Sequence, residues 1–89
     1  MWRTRFEWDD AKHKKNLRDR GFGFDQAARI FSGHVVEWLD DRFTYGEDRI
    51  CALGMVDGRL YCIVYTMRGD TIRIISARLA TRREQSLWP

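Results

Sequence analysis

EDRICALGMVDGRLYCIVYTMRGDTIRIISARL, residues 47–79, decides the fold. β-branched and aromatic residues dominate it, and two turn dipeptides, Asp57-Gly58 and Gly69-Asp70, divide it into antiparallel hairpins. The strands read 47–56, 59–68 and 71–79, preceded by a strand at 35–40. A two-residue turn at Asp57-Gly58 sets Val56 against Arg59, Leu53 against Cys62 and Cys51 against Val64. One face then carries Cys51, Leu53, Met55, Leu60, Cys62 and Val64 and reads as the core. The Gly69-Asp70 turn extends it by setting Val64 against Ile75, Cys62 against Ala77 and Leu60 against Leu79. The cysteines fall diagonal to each other, which disfavours a disulfide, and both read as core packing.

Upstream, residues 3–8 form a short strand and Asp9 is an N-cap for a helix running to Arg20, ended by Gly21. The inward face of that helix is thin, mainly Ala11 and Leu17. Phe22 is placed to staple onto Ala27 of a second helix, opened by Gly23 or Phe24 and stopped by Ser32-Gly33. At the other end Thr81 and Glu84 have capping-box spacing in a short helical segment, 81–87. The expectation is one α+β domain spanning 1–89, with two N-terminal helices packed on an antiparallel sheet of about four strands and a short C-terminal helix.

The 89 residues leave no room for a second independent core, so any active site lies on a surface. The formal charge of +3 is unevenly spread. Residues 1–20 and 68–84 are each net +3, whereas 37–48 is net −4. No run is long and apolar enough for a membrane span, and the first residues lack the apolar stretch of a signal peptide. A cytoplasmic protein with no membrane partner is expected. Neither cysteine has neighbours spaced for zinc, His13 and His34 lack partners for a triad or a metal pair, and the glycines form no phosphate-binding loop. No metal or cofactor is expected.

The hairpin register sets Glu47 against Arg68 and Arg49 against Thr66, which faces Arg73 in turn. One end of the core face thus becomes polar, with cations able to hold a phosphate and Glu47 as general-base candidate. From pairing alone the same four residues also read as a salt-bridge network at a sheet edge. On the opposite face Arg78 falls beside Tyr61, with Tyr65 nearby and Gly54 across from Tyr61. An arginine among exposed tyrosines suits either RNA or a protein partner. Lys12, Lys14, Lys15, Arg18 and Arg20 form a charged helix face, of which Lys12 and Arg20 are RNA-contact candidates.

Phe6-Glu7-Trp8-Asp9, with Lys12, Asn16, Gly21, Phe24 and Ala27, resembles the opening of the BrnT ribonuclease toxins. Further matches are Asp41-Arg42, Gly46-Glu47 with Arg49, Tyr65 with Arg68, and Arg73-Ile74-Ile75-Ser76-Ala77-Arg78 with Ala80-Thr81 and Glu84. Asp19-Arg20 stands where a Lys-His pair usually precedes the family glycine, so Arg20 takes that position as a phosphate-ligand candidate. Gln85 and Trp88 stand where an Arg and a Tyr are common. The resemblance implies a RelE-like fold and a toxin of a type II toxin-antitoxin system that cleaves RNA. It also implies neutralisation by a BrnA-like ribbon-helix-helix antitoxin, with DNA contacted only through that antitoxin. The expected sites are therefore Glu47, Arg49, Arg68 and Arg73 for catalysis, Lys12, Arg20 and Arg78 for RNA, and Tyr61 and Tyr65 for the partner. A non-catalytic nucleic-acid-binding or partner-binding module is the alternative.

Overall fold

A computed structural model describes residues 5–42 and 46–89. Its elements are β1 (Arg5–Trp8), α1 (Asp10–Arg20), α2 (Phe24–Ala27), a 3-10 turn (Ala28–Ser32), β2 (Val35–Leu39), β3 (Ile50–Val56), β4 (Arg59–Arg68), β5 (Thr71–Leu79) and α3 (Arg82–Gln85). Residues 3 and 4 of the expected first strand lie outside the described residues. Asp9 caps α1 by accepting from Ala11 N at 2.8 Å and Lys12 N at 3.1 Å, and Gly21 closes it in the left-handed region at φ 80°. The expected second helix is a single α-turn continued as a 3-10 turn. Thr81 and Glu84 form the capping box that starts α3. Among the described residues no helix is long and apolar enough to cross a membrane.

The sheet has five strands in the order β1-β5-β4-β3-β2, and it is mixed. β1 lies parallel to β5, so the expectation of about four antiparallel strands is corrected. Its partner is remote: Glu7 pairs with Arg73, 66 residues on, and turn chemistry carries no signal of such a contact. The β3–β4 register is the one the Asp57-Gly58 turn dictates, with φ of 50° and 80° at the two turn residues. In β4–β5 the four pairs nearest the second turn, from Arg68↔Thr71 to Tyr65↔Ile74, also follow from it. A β-bulge then intervenes between Val64 and Tyr65. Val64 consequently pairs with Ser76 rather than Ile75, Cys62 with Arg78 rather than Ala77, and Tyr61 rather than Leu60 with Leu79.

Both faces of the sheet are buried. Phe22, Phe24, Ala27 and Ile30 cover one face, made of Ala52, Tyr61, Ile63, Tyr65, Ile72, Ile74 and Ala77. The other carries Cys51, Leu53, Cys62 and Val64 with Val36, Trp38, Leu60, Ile75, Ala80 and Trp88. The helical layer therefore sits on the face opposite to the one expected. The near-continuous apolar run of β4 fits a strand covered on both sides, and one-sided alternation assigns the wrong face to it.

Close packing at Gly54 and side-chain contacts from α1 seat the helical layer. Gly54 lies under the 3-10 turn so closely that a Cβ there would sit 2.4 Å from Ile30 Cβ. The helix α1 buries no residue, and Leu17 is exposed, so apolar packing does not hold it. Asn16 instead donates through Nδ2 to Phe22 O at 3.3 Å and Ala77 O at 3.0 Å, occupying β5 where β1 no longer pairs with it. His13 accepts from Phe24 N at 3.0 Å through Nδ1 and stacks on Trp8. Because the obstruction at Gly54 includes the Ile30 backbone, Gly54→Ala is expected to cost about 2–3 kcal/mol in urea unfolding, the upper part of the range for overpacking.

Candidate functional site

Alternation along the strands decides what shares the second face. Ile72 and Ile74 point to the helices, so Arg73 points away from them; Thr66, next to Tyr65, and Arg49, next to Ile50, do the same. Thr66 pairs with Arg73, and one further step of the Ile50↔Tyr65 register sets Arg49 beside Thr66. The Thr66 hydroxyl donates to Asp48 O at 2.7 Å, fixing the end of β3 against β4. Arg73 on β5, Thr66 on β4 and Arg49, the residue just before β3, thus form a row.

Carboxylates flank the row. Glu7 pairs with Arg73 across the parallel edge, its Oε2 accepting from Nη1 at 3.3 Å, and Glu47 Oε1 lies 3.7 Å from Arg49 Nη2. All four side chains are partly exposed. Beyond Arg49, the buried Asp40 accepts from Arg42 at 2.8 Å and 3.1 Å, and its backbone N–H donates to Arg49 O. Arg68 lies two residues past Thr66, exposed at the hairpin end and opposite Thr71. The expected Glu47–Arg68 pairing is replaced, because β3 begins only at Ile50 and Glu47 turns to Arg49. Chemically, the row offers an anion two guanidinium groups, one on each side of Thr66, with carboxylates close by.

Arg78 is not beside Tyr61. The bulge moves it to the second face opposite Cys62, where it forms a bidentate pair with Glu84 at 2.6 Å and 2.8 Å. Chiefly through that pair, Glu84 is held down to about 2, while Arg78 is raised. Glu84 also accepts from Thr81 N at 2.9 Å and from Cys62 Sγ at 3.6 Å, so it ties the start of α3 to β4 and β5. Desolvation pushes the Cys62 thiol up to about 12 and raises Cys51 as well, which makes both weak nucleophiles.

Tyr61 and Tyr65 are not surface residues either: they are 0% and 7% exposed. The Tyr61 ring meets Phe22 edge-on, and its hydroxyl accepts from Gln26 Nε2 at 2.9 Å. The Tyr65 hydroxyl donates to Glu37, and its pKa is raised by burial and then by that carboxylate. Their rings are buried and their hydroxyls are hydrogen-bonded within the chain, which removes them as exposed anchors for a partner. Lys12 and Arg20, by contrast, line one cleft between α1 and β5.

Sequence reasoning places Thr66 between Arg49 and Arg73 but misses Glu7 and Glu84 as members of these constellations. Glu7 becomes visible only once β1 is placed beside β5. Glu84 reads in sequence as a capping residue, which it also is. The model of one family, described as the ribonuclease toxin, BrnT, of type II toxin-antitoxin systems, matches residues 8–84. A search of curated proteins gave no match.

The Arg78–Glu84 pair makes a pH-dependent contribution whose sign is fixed. With its native pKa depressed, Glu84 stabilises the fold above its ordinary value near 4.5, and that stability is lost as pH falls towards about 2. Glu84→Gln is expected to be about 2–3 kcal/mol less stable than the parent at pH 7 in urea unfolding. The gap should narrow steadily as the pH is lowered from about 5.

Proposed function

Because the chain belongs to the BrnT family of ribonuclease toxins of type II toxin-antitoxin systems, we propose that it cleaves RNA internally without a metal ion, at the Arg49–Thr66–Arg73 row. The observation that carries this reading is the row itself: guanidinium groups on either side of Thr66 on the central strand β4, with Glu7 and Glu47 beside them.

In this reading Arg49 and Arg73 hold the non-bridging oxygens of the scissile phosphate and stabilise the charge added as the 2′-oxygen attacks. Glu47 removes the 2′-hydroxyl proton. The O2′–P bond forms and the P–O5′ bond breaks. The products are a 2′,3′-cyclic phosphate and a 5′-oxygen that takes up a proton. Glu7 holds the Arg73 guanidinium in place, and Arg68, exposed at the hairpin end, meets the RNA as it approaches. Arg78 serves the fold through Glu84 rather than contacting RNA. The partner is a BrnA-like ribbon-helix-helix antitoxin that covers the cleavage row, and it alone contacts DNA. The site of action is the cytoplasm, where translated RNA is found.

Purified protein is expected to cut RNA in excess EDTA and leave 5′-hydroxyl ends. Arg49→Ala and Arg73→Ala should each slow cutting by about 10²–10³, the usual effect of losing one oxyanion donor. Because both side chains are partly exposed, the thermal midpoint should fall by only a few degrees. Cutting that disappears in chelator and returns only with a divalent ion rejects the metal-free mechanism. Full activity in both variants rejects the row.

A further inference from the structure

β1 covers the edge of β5 only from Thr71 to Ile74. Past that point α1 lies alongside β5, and a cleft of about 620 Å³ opens between them. Its helix side is Lys12, Lys15, Asn16, Asp19 and Arg20, spaced at three and four residues along one face of α1. Its strand side is Ile75 and Ser76.

The charges in the cleft do not cancel. Asp19 is taken by Lys15, whose hydrogen bond and charge hold its carboxyl below the usual range. Asn16 spends its amide on Phe22 O and Ala77 O, which locks the helix at a fixed distance from the strand. Among the described residues Lys12 and Arg20 form no ion pair, whereas Lys14, outside the cleft, pairs with Asp10 at 3.1 Å. Two cations with no carboxylate within ion-pair distance, eight residues apart on α1, therefore flank a cleft that is floored by Phe24 and Ile75 and bordered by the exposed Ser76. Ser76 lies three residues along β5 from Arg73, about 10 Å at the usual strand rise.

From this placement we propose that the α1–β5 cleft is a second phosphate-binding subsite, in which Lys12 and Arg20 hold the backbone of single-stranded RNA flanking the bond cut at the row. This rests on the reading of the row as the cutting site. Lysine and arginine here act on phosphate without reading sequence, so the subsite contributes affinity and positioning.

The test compares two double variants with equal loss of charge. Lys12→Gln/Arg20→Gln empties the cleft of its two unpaired cations, and Lys14→Gln/Arg18→Gln removes two from α1 outside it. Binding is read by fluorescence anisotropy on a fully 2′-O-methylated RNA strand across a salt series, and cutting is read on unmodified RNA. The cleft variant is expected to bind about tenfold more weakly, with a salt slope lower by about 0.7 for each phosphate that is no longer neutralised. Its loss in cutting should appear in KM. The outside variant should change binding less than about threefold, and Lys12→Arg/Arg20→Lys should retain the wild-type affinity, which separates lost charge from misfolding. Wild-type binding by the cleft variant, or equal weakening in both glutamine variants, overturns the subsite. A wild-type protein that binds RNA without cutting it rejects the row as a cutting site while the binding comparison still decides the cleft. One that neither binds nor cuts rejects both.

Discussion

A single extra residue in β5 governs how the sheet is used. Ile72 and Ile74 face the helical layer, and so does Ala77, although an odd spacing separates it from them. A regular strand cannot do this, since its side chains alternate strictly. The bulge at Val64/Tyr65 supplies the phase change. It also places Arg73 and Arg78, five residues apart, on the same face, where one contributes to the polar row and the other anchors the C-terminal segment.

The two layers over the sheet are unequal, and the proposed cleavage site follows from that. The helical layer buries large side chains against β3, β4 and β5, and Gly54 lets it approach closely. The second face has a thinner cover, made by α3 and Trp88 and pinned by Arg78–Glu84 and by Ala80 N donating to Leu60 O at 2.8 Å. That cover reaches the Cys62 end of the face. The other end carries Arg49, Thr66 and Arg73, which are polar and flanked by carboxylates, and it offers its cations to an RNA phosphate.

Local chemistry is legible in the sequence where it acts alone. Asp9, Gly21, the Asp57-Gly58 turn and the Thr81–Glu84 box all stand as their residue types dictate, because each is decided within a few residues. Contacts that depend on distant chain are not legible. The parallel β1–β5 pairing joins segments 66 residues apart, and with it comes the partner of Arg73. The covered face escapes a reading by polarity because Tyr61 and Tyr65 carry hydroxyls, which Gln26 of α2 and Glu37 of β2 satisfy at the margin of the core. Lys12 and Arg20 are recognisable as candidates in the sequence, but their shared cleft requires α1 to be fixed against β5 by Asn16.

If the RNA phosphate sits at Arg49 and Arg73, both guanidinium groups must sense it. Their Nε–H resonances can be followed in a ¹⁵N NMR titration with a 2′-O-methylated, uncleavable RNA strand. The signals of Arg49 and Arg73 are expected to shift together and saturate at one affinity, while that of Arg29, paired with Asp57 at the β3–β4 turn, stays in place. Saturable binding that leaves both Arg49 and Arg73 unmoved would contradict a phosphate site at the row.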